Sequence, residues 1–442
     1  MYSKKVLGYL KKKRISVGDT VELQTTYDKV KGLLLDRPNY LDEDTLIIKL
    51  DNGYNTGINL RNIDSVNVVK KAEVEIKSNK GSAQNVKKPF ISILHTGGTI
   101  ASKVDYKTGG VISRFEPSEL INMFPELKNY GNIHSLFMGN MFSDDMRFAH
   151  YAKMADYVTK EIENGTSGVI ITHGTDTMAY TSAALSFIFD NIPIPVLLVG
   201  AQRSSDRGSS DAGMNLVCAA KFIKNSDFRG VAICMHGSSS DDYCNIMRGV
   251  NVRKLHSSRR DAFKPVNGNI IAKVDYLGDD ITFISDYQRR SGKAGIFRVN
   301  PKMEDKVAVL KVHTNMHAEQ FAFYRTAKYK GLIIEGTGLG HAPINEIDIP
   351  TKEHTRIRNE LEKLVESGCT VVMCTQTIFG SVNMNVYSPG REMQHFGIIP
   401  GYSMTTETAF VKLAWLLAND KKNIRKLMIE NLRGEIVKRL IV

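Results

Sequence analysis

Gly168-Val169-Ile170-Ile171-Thr172-His173-Gly174-Thr175-Asp176-Thr177 decides the architecture of this chain. A short, wholly apolar run stops at a Gly/Thr turn, and a helical pattern starts directly after it. That is the signature of a buried parallel strand whose carboxyl end opens into a loop. An earlier stretch repeats the design: Ile91-Ser92-Ile93-Leu94-His95 runs into Thr96-Gly97-Gly98-Thr99-Ile100-Ala101. Open α/β sheets place their ligands at the carboxyl ends of such strands. Two hydroxyl-bearing turns therefore predict one site converging at a sheet edge.

Outward from these turns, apolar runs alternate with amphipathic stretches. Ile194–Gly200, Gly230–Met235, Ala308–Val312, Gly331–Glu335 and Thr370–Cys374 read as strands; Arg147–Asn164, Thr177–Asp190 and Thr351–Glu366 read as helices. That alternation predicts a parallel sheet covered by helices. Residues 1–70 differ. Thr20–Leu23, Val30–Leu35 and Thr45–Leu50 are short runs separated by turns such as Asp51-Asn52-Gly53, which predicts a small β-barrel or curled sheet. The predicted organisation is a β-barrel-like domain over 1–70 and a polar linker over 71–89. A larger α/β domain follows over 90–285, then a basic linker over 286–305 and a smaller α/β domain over 306–442.

The chain has 442 residues, 42% of them hydrophobic and 24% charged, ordinary values for a globular protein with a sizeable core. Its net charge of +12 is unusual, and residues 1–90 hold half of the excess, with 17 Lys+Arg against 11 Asp+Glu. A solvated basic surface and a docking face for nucleic acid or an acidic partner both fit. The five cysteines form no C-x-x-C pair and signal neither a disulfide framework nor a zinc site. The Lys-rich start lacks the apolar core of a signal peptide, and no apolar run has the length of a membrane span. The expected location is the cytoplasm.

A threonine becomes a nucleophile only beside a base. The turns offer the hydroxyls of Thr99 and Thr175 and the carboxylate of Asp176. Lys254, within the basic run Arg248–Arg260, offers an amine that can act as base if its surroundings favour the neutral form. From the residues alone, the alternatives stay open. Thr99 and Asp176 could cap helices, and the basic run could be a solvated loop. A phosphate cradle at Thr96–Thr99 is a weaker reading, because the turn lacks both the G-K-[ST] ending and G-x-G-x-x-G spacing.

Thr96-Gly97-Gly98-Thr99-Ile100-Ala101 together with His173-Gly174-Thr175-Asp176-Thr177-Met178 resembles the paired signature of bacterial-type L-asparaginases and glutaminases. Gly200-Ala201-Gln202-Arg203, Ser209–Leu216 and Gly336-Thr337-Gly338-Leu339-Gly340 extend the resemblance over roughly residues 90–440. The extra domain before residue 90, Asn140–Met146 and Arg253–Phe263 are similar to a narrower group, the D subunits of archaeal glutamyl-tRNA(Gln) amidotransferases. The resemblance implies an asparaginase-like two-domain α/β fold and a glutaminase that passes ammonia to a partner, the amidotransferase E subunit. That partner would hold Glu-tRNA(Gln), ATP and Mg, with no cofactor and no metal on this chain. It also implies a homodimer within a heterotetramer.

Carried over by position, the resemblance makes Thr99 the nucleophile and Thr175–Lys254 a second hydroxyl–base pair. Asp176 would bind the substrate's α-ammonium, Ser143 its α-carboxylate, and Tyr106 would stand near the nucleophile. A stand-alone asparaginase or glutaminase is the alternative, though it leaves residues 1–89 without a role. A tRNA-binding module on an inactive amidase scaffold is a third reading, motivated by the net charge.

Overall fold

The computed structural model describes residues 2–35, 44–50, 55–71, 89–98, 100, 102–104, 111–113, 124–204, 210–292 and 295–437. The chain opens with a helix, α1 (Lys4–Lys12), that the short-strand pattern did not announce. Ser3 caps it by accepting a hydrogen bond from the Val6 N–H at 3.2 Å. Val6 and Leu10, four residues apart, bury their side chains. Strands β1 (Thr20–Thr25), β2 (Lys29–Leu35), β3 (Thr45–Leu50), β4 (Asn55–Asn59) and β5 (Ile63–Lys70) form an antiparallel sheet in the order β4-β3-β2-β1-β5. Strict alternation in β1 buries Val21, Leu23 and Thr25 and leaves the other face half-covered. Among the described residues, its core, which includes Val6, Leu23, Leu34, Leu46 and Ile48, draws on residues before 70.

The large sheet begins with β6 (Phe90–Gly97). A short hairpin, β7 (Ser102–Val104) with β8 (Val111–Ser113), precedes β9 (Asn132–Met141) and helix α2 (Phe148–Asn164). Then come β10 (Val169–Thr172), α3 (Met178–Ile188), β11 (Phe189–Asp190), β12 (Pro195–Val199), α4 (Ala212–Asn225) and β13 (Gly230–His236). Strands β9, β6, β10, β12 and β13 are parallel neighbours in that order. Beyond β13 the sheet turns antiparallel through β14 (Tyr243–Arg248), β17 (Ala272–Asp275) and β18 (Ile281–Phe283). The sheet is therefore mixed rather than purely parallel, since the connection from His236 to Tyr243 is too short for a crossover helix and closes a hairpin. A separate ribbon, β15 (Val252–Lys254) with β16 (Phe263–Pro265), follows β14 in the chain before β17.

Residues 286–305 do not cross freely to the next unit. The Arg290 guanidinium donates to the carbonyls of Ile223 and Ser226, and β19 (Arg298–Val299) pairs with β11. The last unit is a four-stranded parallel sheet of β20 (Val307–Lys311), β21 (Gly331–Gly336), β22 (Thr370–Thr375) and β23 (Ile399–Pro400). Its helices are α5 (Glu319–Thr326), α6 (Lys352–Glu366), α7 (Ser388–His395), α8 (Thr406–Asn419) and α9 (Ile424–Ile429). Helix α3 is apolar on all sides because it lies between the large sheet and α8. Phe187 stacks on Trp415 with ring centroids 5.9 Å apart, and Tyr180 meets Phe410 edge-on. All five cysteines are free and buried, as small core residues. Among the described residues, no helix is long and apolar enough to cross a membrane.

Candidate active site

The two quoted turns meet backbone to backbone. β6 and β10 are adjacent parallel strands with Leu94 opposite Ile171 and His95 opposite Thr172. The Thr96 hydroxyl donates to the Thr172 carbonyl at 2.7 Å and joins the strand ends. Beyond it, Gly98 has a φ of +76°, and a Cβ there would lie 2.3 Å from the Gly174 nitrogen. Gly174 is just as confined, since a Cβ on it would fall 2.8 Å from Cβ of Ser143. Glycine is thus required at both positions by close approach, and at Gly98 by conformation as well.

This contact brings Ser143 and Thr175 to the same sheet edge, and both are buried. Ser143 opens a short 3₁₀ turn after β9, and its carbonyl accepts from the Thr177 hydroxyl at 2.6 Å. Thr175 packs its methyl against Gly200, where a Cβ would come within 2.8 Å of it. Lys254, at the end of β15, reaches over both residues of the second turn. Its Nζ donates to Thr175 Oγ1 and to Asp176 Oδ1, each at 2.8 Å. The lysine side chain is only 12% exposed, whereas that of Asp176 is 64% exposed. The basic run is therefore no solvated loop at Lys254. Nor is Asp176 a helix cap: the residue before α3 is Thr177, whose side chain makes no capping bond.

Thr99 and Tyr106 lie outside the described residues, so the set brought together here is Ser143, Thr175, Asp176 and Lys254. Asp176, Tyr180, Arg253, Lys254, His256 and Glu407 line a cavity of about 420 Å³. Glu407 comes from α8 of the last unit, and its Oε1 pairs with Arg253 Nε at 3.0 Å. Burial first, and the Glu407 charge second, push the Tyr180 hydroxyl up to about 12, so it stays protonated.

Motif reading did not single out the groups that support this edge. His173 is buried between the Gly174 carbonyl and Thr181 Oγ1, and desolvation lowers it to about 4. His95 is lowered to about 4 by burial as well. Both imidazoles are neutral props. The buried Asp211 carboxylate accepts from the backbone N–H groups of Gln202 and Arg203. Asn215 donates to the Gly200 carbonyl at 3.0 Å. Through Asp211 and Asn215, the motif segment that ends at Leu216 clamps the Gly200–Arg203 turn. One His/Glu group among the described residues, His317 with Glu319 and Glu353, has ligand-type geometry. Arg356 already bridges its two carboxylates at 2.7 Å, which makes it an ion-pair network on α5 and α6.

Residues 90–288 match the family described as Asparaginase, N-terminal, and residues 306–428 match the Glutaminase/Asparaginase C-terminal domain. Residues 15–69 match the GatD N-terminal domain. The glutamyl-tRNA(Gln) amidotransferase D subunit of Pyrococcus furiosus is 43% identical over 442 residues, spanning 98% of this chain and 97% of its own length. The chain belongs to the family of glutamyl-tRNA(Gln) amidotransferase D subunits. The family's member from Sulfolobus acidocaldarius is 40% identical over 98% of this chain and 95% of its own. Solved structures extend the likeness to asparaginases. The thermostable L-asparaginase from Thermococcus kodakarensis superposes with a TM-score of 0.69 at 29% identity, over 79% of this chain and 99% of its own. L-asparaginase I from Vibrio cholerae gives 0.68 at 29% identity, over 79% and 100%. The asparaginase-like α/β fold of this family is thereby shown.

Proposed function

We propose that this chain hydrolyses the side-chain amide of glutamine and delivers the ammonia to a partner that converts Glu-tRNA(Gln) to Gln-tRNA(Gln). The observation that carries this reading is the lysine amine held at 2.8 Å from both a buried threonine hydroxyl and a carboxylate at a glycine-lined strand end. Family membership over the whole chain, including residues 15–69, favours an amidotransferase component over a stand-alone asparaginase.

In this mechanism the Thr99 hydroxyl attacks the amide carbon and the ammonia leaves with an added proton, giving an ester on the threonine. Water then cleaves the ester to free glutamate. Lys254, through Thr175, takes the proton from the attacking Thr99 hydroxyl and gives it to the departing nitrogen. In the second step it takes a proton from water and returns it to the Thr99 oxygen. Backbone N–H groups of the two glycine turns stabilise the tetrahedral oxyanion. Asp176 holds the α-ammonium with the oxygen that Lys254 does not use, Ser143 holds the α-carboxylate, and Tyr106 stands by the nucleophile. The partner, the amidotransferase E subunit, supplies ATP and Mg chemistry and binds Glu-tRNA(Gln). The assembly is a homodimer of this chain within a heterotetramer.

Co-expression with the partner tests the division of labour. Thr175→Ala and Lys254→Met should each lower glutamine-dependent transamidation at least about hundredfold, while transamidation from added ammonium salt persists. Loss of both activities in a folded variant would contradict the scheme. Fast hydrolysis of free asparagine by the lone chain would favour the stand-alone alternative.

A further inference from the structure

A second cavity, about 220 Å³, lies at the opposite end of the large sheet from the catalytic turns. It is lined by the first residues of β13, Gly230 and Val231, whereas the turns leave the carboxyl ends of the parallel strands. Three arginines reach its walls: Arg229, just before β13, Arg248, at the end of β14, and Arg433, in the tail after α9. Asp190 is the one carboxylate among the described lining residues, and Arg433 already engages it at 3.2 Å.

Arg229 is the telling group. It is 7% exposed, its Nε donates to the Arg289 carbonyl at 3.0 Å, and its buried Nη1 has no acceptor. No carboxylate lies within ion-pairing distance of it among the described residues. Arg248 donates to the Asp286 carbonyl and likewise has no ion-pair partner among them. Burial lowers the Arg248 guanidinium below its usual range, although the Asp286 charge opposes the shift. A guanidinium cannot discard its proton as a buried lysine can, so an uncompensated one is costly to bury. Folding tolerates that cost where an anion enters to offset it, and the planar fork of arginine suits phosphate and carboxylate alike.

We infer that Arg229, Arg248 and Arg433 form a binding site for a small oxyanion, inorganic phosphate or a carboxylate, at the amino-terminal edge of the large sheet. The site lies where the tail of the last unit returns to the large one, because Leu432 and Arg433 close its wall. It is separate from the amidase pocket and does not rest on the proposed activity. Val250, four residues before Lys254, belongs to the same lining.

Calorimetric titration of the full chain with sodium phosphate, and separately with sodium acetate, tests the site, with sodium chloride holding the ionic strength constant. Saturable binding of at least one anion, near one per chain, is expected, and the two titrations identify which oxyanion is preferred. Arg229→Gln and Arg248→Gln should each weaken that binding about tenfold or more and leave glutaminase kcat unchanged. Arg248→Gln, at the more exposed of the two positions, keeps the test valid if Arg229→Gln fails to fold. The inference is overturned if neither anion binds saturably at millimolar concentration, or if a folded Arg248→Gln chain binds as tightly as the parent.

Discussion

At the scale of single residues, the site depends on groups whose chemistry is decided by burial. His173 and His95 are held neutral, each at about 4 against an ordinary 6.5. Their folded values are depressed, so the unfolded chain binds more protons between pH 6.5 and about 4. The stabilisation is complete above 6.5 and drains away as pH falls through that window, on the order of 3 kcal/mol for each ring. Imidazole hydrogen–deuterium exchange followed by mass spectrometry should find both rings unprotonated at pH 5.5; a His173 midpoint near 6.5 would refute the burial argument. Gly98 offers a second test. Gly98→Ala must fit a Cβ 2.3 Å from the Gly174 nitrogen at positive φ. We expect a stability loss of about 1–3 kcal/mol together with a collapse of glutamine turnover, because the turns are forced apart. Wild-type turnover in that variant would mean the close approach is dispensable.

Secondary-structure elements bring Lys254 to the threonine. The β15–β16 ribbon is short, and Phe263, opposite Lys254, anchors it in the core. Its outer side is tied to α8 by the Arg253–Glu407 pair, so a helix of the last unit sets the pitch of a strand in the large one. Glu407→Gln keeps the side-chain shape and removes the charge. It should lower kcat for glutamine about tenfold, roughly 1.4 kcal/mol of barrier, with the thermal midpoint nearly unchanged. A lower midpoint with full kcat would assign the pair to stability alone. The strands and helices around this ribbon were legible from apolar runs and helical spacing, as with Arg147–Asn164 against the observed Phe148–Asn164. The ribbon was not, because three residues carry no period and their charges point to a surface loop.

At the scale of the whole molecule, the tail after α9 reaches across to the large unit: Arg433 donates to the Ser186 carbonyl and pairs with Asp190, and Asn251 donates to the Gly434 carbonyl. A buried pair anchors this tail in the last unit. Lys412 of α8 and Glu435 of the tail are fully buried and paired at 2.6 Å. Lys412 Nζ also donates to the carbonyls of Met428 and Glu430, and Glu435 accepts from the Leu432 and Arg433 amides. Breaking one side of such a pair strands a charge in the core. Lys412→Met should cost about 3–5 kcal/mol, with much of that restored by adding Glu435→Gln. Urea denaturation of both variants measures it, and additive losses would mean the two residues act independently.

The sequence by itself determined the apolar parallel strands β6, β10, β12, β13 and β20 to β22, helices α2, α3 and α6, the glycine–threonine turns at strand ends, and the family, since these follow from local periodicity and contiguous motifs. Helix α1 escaped it, because two buried residues on a lysine-rich segment make too narrow an apolar stripe. Tertiary structure alone decided that Lys254 is shielded and bonded to Thr175 and Asp176, that Asp176 faces a lysine and caps no helix, and that Asp211 clamps the Gly200–Arg203 loop. Each of these depends on segments remote in the chain meeting at one sheet edge. A side chain's solvation and partners are properties of that meeting, which no local pattern encodes.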